Sequence, residues 1–114
     1  MSECLFCRIG SGQIPAKVVL QDEEILAFED VNPQAPVHVL VIPKRHIEGL
    51  IETKADDKAL LGHLLEAATQ VAAKKGIAES GYRVVANTGR NGGQTVFHLH
   101  LHVLGGRQMT WPPG

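Results

Sequence analysis

Histidine recurs at alternate positions in Phe97-His98-Leu99-His100-Leu101-His102-Val103-Leu104. On a strand, successive side chains point to opposite faces, so His98, His100 and His102 share one surface and Leu99, Leu101 and Val103 the other. Three adjacent imidazoles add nothing as packing, since aliphatic groups fill a core better and Lys, Glu or Thr suit an outer face better. A neutral imidazole is a nucleophile, an acid–base group or a metal ligand near pH 7. Same-face Cα atoms lie about 6.6 Å apart on a strand and the outer pair about 13 Å, whereas Zn–N bonds are ~2.0–2.1 Å. Two neighbouring rings can converge on one ion, but all three on a straight strand would strain. The rings therefore divide the work: one as nucleophile, the others as orienter, proton donor or ligand to something else.

The preceding segment, Asn87-Thr88-Gly89-Arg90-Asn91-Gly92-Gly93-Gln94-Thr95, is rich in glycine. Such a loop lets backbone N–H groups approach a ligand closely and form an anion-binding concavity. Thr95 adds a hydroxyl and Asn87 an amide. A phosphate held there would sit close to His100 or His102. Imidazole attack on phosphorus gives a labile P–N bond that water can open, with loop amides steadying the equatorial oxygens. Phosphoryl or nucleotidyl transfer is the expected chemistry. No Gly-x-x-x-x-Gly-Lys-Ser/Thr run supports a P-loop nucleotidase.

Cys4-Leu5-Phe6-Cys7 is a Cys-x-x-Cys pair. A thioredoxin-type redox pair would need a βαβ context, which the pattern lacks. Two inert thiols are one remaining reading. A zinc site is the other, with the histidine-rich chain supplying two further ligands.

These residues need elements to hold them. Cys4 to Gly12 reads as one or two helical turns. Val18-Val19-Leu20 and Ile25-Leu26-Ala27-Phe28 read as strands about a polar turn. Asn32-Pro33-Gln34-Ala35-Pro36 is a loop, and Val37 to Ile42 a well-buried strand between prolines. Asp56 to Lys75 is a helix whose stripe is Leu60, Leu61, Leu64, Leu65, Ala68, Val71 and Ala72. His63 falls off that stripe, as a solvated surface residue, and Lys44 and Arg45 read as surface charge. Tyr82 to Ala86 and Val96 to Leu104 complete the strands. Strands grouped around one dominant helix predict an α+β fold with a largely antiparallel sheet.

The 114 residues fit one domain, residues 1–114, and 44% apolar content suffices for a core without disulfides. Eleven basic against 12 acidic residues give a net charge of −1, which argues against nucleic acid or an anionic membrane as partner. No apolar run is long enough to span a bilayer, and the N-terminus is unlike a signal peptide. Paired thiols without an export signal suit a reducing, cytoplasmic setting.

With these residues in view, the chain resembles the histidine triad (HIT) nucleotide-binding proteins, in particular their HINT branch. His98-Leu99-His100-Leu101-His102-Val103-Leu104 is similar to the family's His-x-His-x-His motif. Gln13 to Lys17, Ala27 to Asp30, Pro33 to Pro36, Val41 to Ile47, Gly92-Gly93-Gln94, and Gly105 through Gly114 are similar to the branch as well. The resemblance implies a HIT-like fold and a homodimeric purine nucleoside phosphoramidate hydrolase, releasing AMP or GMP from a P–N-linked amine. It makes His100 the nucleophile, has His102 contact the phosphate or leaving group, and has His38 support them from behind. Asn87, Gly93, Gln94 and Thr95 match positions around the phosphate, and Asp30 a ribose-binding carboxylate. Leu5, Phe6, Ile9, Phe28 and Val31 would line the base pocket, and Trp111 belongs to a tail reaching toward the partner's site. Bacterial members with Cys-x-x-Cys hold zinc, and the resemblance assigns it to Cys4, Cys7, His46 and His98; animal HINT members generally lack the cysteines. Two other readings compete: a zinc-dependent phosphohydrolase with metal on the triad, and a non-enzymatic nucleotide-binding adaptor. A dinucleoside polyphosphate hydrolase is a variant within the fold, and the Trp111-Pro112-Pro113-Gly114 ending argues against it.

Overall fold

The computed structural model describes residues 3–114. Its order is α1 (Leu5–Gly10), β1 (Val18–Gln21), β2 (Ile25–Glu29), β3 (Val37–Pro43), two 3-10 turns (Leu50–Glu52 and Ala55–Asp57), α2 (Lys58–Lys74), β4 (Tyr82–Val85) and β5 (Leu101–Gly105). The strands form one antiparallel sheet in the order β1-β2-β3-β5-β4. This is the expected α+β architecture, with one long helix and a short N-terminal one. No helix among the described residues is long and apolar enough to cross a membrane.

The sheet's two faces have different covers, which explains the near-continuous apolar runs of β2 and β3. Ile25, Ala27, Val39, Val41, Leu101 and Val103 face α2, packing on Leu64, Ala67, Ala68, Val71 and Ala72. Leu26, Phe28, Leu40 and Ile42 face the other way and pack with Phe6 of α1. The β3–β5 register puts Leu40 opposite His102 and His38 opposite Leu104, so His38 and His102 share the α1 side.

The histidine segment departs from expectation. It reads as one strand from Val96 to Leu104, yet β5 begins only at Leu101. The register pairs Val41 with Leu101, so the next partner for Leu99 would be Pro43. Proline has no N–H to extend a ladder. Its carbonyl is taken by His98 Nε2 at 2.7 Å, and Leu99 N–H donates instead to Ile47 O at 2.6 Å. Alternation survives without the ladder: Leu99 still packs in the α2-side core, while the histidines turn to the other side.

Smaller corrections concern the long helix. It starts at Lys58, after a 3-10 turn in which the Asp57 carboxylate accepts Lys54 N–H at 2.9 Å and pairs with Arg45. Leu65, expected on the buried stripe, is exposed, and Ala67 takes a core position instead. His63 is not simply solvated: its Nε2 lies 2.6 Å from Asp22 Oδ2, tying α2 to the β1–β2 turn.

Candidate active site and metal centre

Each functional histidine has two ring nitrogens, and the partner of one fixes what the other can do. His98 is fully buried, and its Nε2–H donates to Pro43 O. Nδ1 therefore carries the lone pair. That atom lies 3.3 Å from Cys4 Sγ, 3.5 Å from Cys7 Sγ and 3.2 Å from His46 Nδ1, and Cys7 Sγ is 3.3 Å from His46 Nδ1. Tetrahedral Zn–S and Zn–N bonds require donors about 3.4–3.8 Å apart. Four donors of the right softness converge at that spacing. Cys4 caps α1 as well, its Sγ accepting Cys7 N–H at 3.4 Å, so the turn that starts the helix brings both thiols to one side. Burial pushes the His98 pKa down and keeps the ring neutral, as a ligand must be.

His100 is buried two residues on, and its Nδ1–H donates to His98 O at 2.7 Å. Its Nε2 carries the free lone pair. The Phe6 ring stands edge-on to it at 5.1 Å, and the His102 ring lies 4.9 Å away.

His102 owes its state to His38. Gln34 N–H donates to His38 Nδ1 at 3.0 Å, so the proton of His38 sits on Nε2. That proton faces His102 Nδ1 at 2.9 Å and Asp30 Oδ2 at 3.4 Å. His102 Nδ1 accepts it, which leaves His102 with its proton on Nε2. Two buried polar side-chain atoms lack a partner among the described residues: this Nε2 and Thr88 Oγ1 of the glycine-rich loop. An unsatisfied buried donor is costly unless something else fills it, and a ligand oxygen would. Burial, then the nearby His100 and His38, lowers the His102 pKa to about 4. Burial also lowers that of His38, against the opposing pull of Asp30.

Asp30, His38 and His102 also bring three potential metal ligands together. Here the same test fails. A metal on His38 Nε2 would require a proton on Nδ1, and that atom already faces the Gln34 N–H. The trio is a hydrogen-bond chain.

A cavity of about 940 Å³ opens over this face. Of the expected pocket residues it is lined by Leu5, Phe6, Ile9, Phe28, Asp30, Val31, Thr95, His100 and His102. Ile14, Lys17, Leu40 and Val96 line it too and went unnoticed in the sequence; for Leu40, its place two residues from His38 on a strand was the available signal. His38 stands behind His102. Asn87 and Gly93 lie in the loop beside the cavity without lining it, and Trp111 is exposed in the tail. Gln94 is buried and does not line the cavity; its side-chain amide donates to Glu48 O. The loop's Gly92 is required by space, because a Cβ there would collide with the Thr88 backbone.

Comparison with known proteins agrees with this geometry. The HIT domain model matches residues 11–109. An uncharacterised HIT-like protein of Synechococcus elongatus is 56% identical over 115 residues, covering all of both chains. A HIT family hydrolase from Legionella pneumophila superposes with a TM-score of 0.96 at 54% identity, over 98% of this chain and 100% of that one. A histidine triad protein from Clostridium difficile gives 0.93 at 40% identity, over 96% of each chain. Motif, fold and relatives converge, and the chain belongs to the HIT domain family.

Proposed function

We propose that the protein is a hydrolase of purine nucleoside phosphoramidates acting through a nucleotidyl-His100 intermediate. The observation that carries this reading is the His100 Nδ1–H bond to His98 O, which leaves Nε2 unprotonated at a cavity-lining position. Its lone pair attacks the α-phosphorus and forms a P–N bond. The substrate nitrogen takes a proton from solvent as its bond to phosphorus breaks, and it departs as a neutral amine. Water then attacks phosphorus and loses a proton to solvent, and His100 recovers its lone pair as AMP or GMP leaves. His102 Nε2–H and the Thr95 hydroxyl, both at the cavity wall, donate to the phosphate oxygens as charge builds. Leu5, Phe6, Ile9 and Phe28 offer the base an apolar wall, and Asp30 faces the ribose hydroxyls.

Cys4, Cys7, His46 and His98 would hold zinc, which when bound supplies a structural cross-link between α1 and the histidine segment. No step of the reaction passes through it. A homodimer, as the HINT branch implies, fits the open ladder edge of β4. Reduced thiols fit a cytoplasmic setting.

The test is mass spectrometry of enzyme quenched with an adenosine phosphoramidate. One nucleotide adduct should map to His100, and His100→Ala should bind AMP yet lose nearly all turnover. Turnover abolished by chelation, with no adduct, would favour the zinc phosphohydrolase. AMP binding by wild type without turnover would favour the adaptor.

A further inference from the structure

The glycine-rich loop is closed on itself by Gly93 N–H to Arg90 O and Gln94 N–H to Gly89 O, both at 3.1 Å, and one of its side chains is buried. Gln94 is only 8% exposed. Its Oε1 accepts Gly89 N–H at 2.9 Å, and its Nε2 donates to Glu48 O at 2.6 Å and Val96 O at 3.1 Å. Both N–H groups of the amide are thereby used. The far anchor lies in a different part of the chain, next to His46. That segment is itself fixed, since Ile47 O accepts Leu99 N–H. It also makes room for the amide. Gly49 has an ordinary extended backbone, φ −175° and ψ −179°, but a Cβ there would lie 3.1 Å from Oε1 and 3.4 Å from Nε2 of Gln94. Space for Gln94, and not conformational freedom, accounts for that glycine.

We infer that Gln94 is a positioning residue for the nucleotide phosphate: its amide braces the 87–95 loop against the 46–49 segment, so that the loop's donors are set before the phosphate arrives. The Gln94 side chain does not line the cavity. A carboxylate could not replace it, because two backbone carbonyls need donors. The inference rests on the proposed nucleotide reading and adds the part that selects for a phosphate.

The experiment compares AMP with adenosine by calorimetric titration of the full chain, using wild type, Gln94→Met and Gly49→Ala. Met keeps the volume and removes the polar amide. Gly49→Ala leaves Gln94 in place and presses on it. Wild type should prefer AMP. Gln94→Met should weaken AMP about tenfold, as expected for donors that lose their aim, while adenosine binding is unchanged. Gly49→Ala should shift the same preference in the same direction by less, and it serves as the test if Gln94→Met does not fold. Retention of the full AMP preference by the folded variants, or equal loss of both ligands, would overturn the role of Gln94. A wild type indifferent between AMP and adenosine would instead refute the nucleotide reading beneath it.

Discussion

Acid should destabilise this fold through His102, and the size of the effect can be worked out. Burial and the neighbouring His100 and His38 hold its pKa at about 4 in the folded chain, against the ordinary 6.5. Above pH 6.5 the ring is neutral in both folded and unfolded states, and its titration changes nothing. Between pH 6.5 and about 4 the unfolded chain binds a proton that the folded chain refuses, so stability falls as pH falls. Each pH unit of separation corresponds to about 1.4 kcal/mol, giving a loss of about 2.5 kcal/mol between pH 7 and 4.5. Solvent at the cavity mouth screens part of this, which reduces the expectation to about 2 kcal/mol. A domain of this size has roughly 5–15 kcal/mol of stability in all. Its melting midpoint moves by about 4 °C per kcal/mol. The assay is thermal and urea unfolding of wild type and His102→Gln from pH 7 to 4.5. Both carry the same metal donors and the same Asp22 and Asp57, whose carboxyls titrate below the ordinary carboxylate range, so shared losses subtract out. Wild type should lose about 8 °C more than the variant over that range. Parallel curves would mean that the His102 proton is not excluded by the fold, and the hydrogen-bond chain through His38 would be wrong.

Two further outcomes are expected. Phe6→Ala should cost about 3–5 kcal/mol in urea unfolding, because the ring is buried against Phe28 at 5.5 Å, His98 at 6.0 Å and His100 at 5.1 Å. A cost below 1 kcal/mol would show that α1 is not packed on the histidine face. Chelation of metal-loaded protein should expose Cys4 and Cys7 to thiol reagents and speed amide exchange in residues 4–10, while a nucleotide adduct still forms on His100; thiols that react equally fast before and after chelation would remove them from the metal site.

Much of this arrangement was legible in the residues because it depends on local periodicity. The alternation of His98, His100 and His102 with Leu99, Leu101 and Val103 sorted the two faces correctly even though the chain bends at 96–98 and the ladder starts only at Leu101. The α2 stripe was legible for the same reason, apart from Leu65, which sits at the edge of the buried arc where Ala67 lies closer to the sheet. What could not be read was non-local. The early end of the β5 ladder depends on Pro43 falling opposite Leu99. The pairing of His63 with Asp22 and the inward turn of Gln94 depend on distant chain segments meeting, 41 residues apart in one case and 46 in the other. A Gln in a glycine-rich loop offers no sign of whether it faces a ligand or a backbone carbonyl.

The roles of the histidines are decided by what stands on the far side of each ring. At His98 the outer nitrogen gives its proton to a carbonyl, so the inner one can bind metal. At His38 the outer nitrogen receives an N–H, so the inner one keeps its proton and passes direction to His102. The same imidazole thus offers a lone pair in one place and a proton in the other, with no difference in residue type. His98 also joins the two centres. Its ring faces Cys4, Cys7 and His46, and its backbone carbonyl receives the Nδ1–H of His100. Whatever pins that ring also pins the carbonyl that sets the His100 tautomer. The cysteine pair and the His100 ring thus meet at one residue, the thiols at the His98 side chain and the imidazole at its carbonyl.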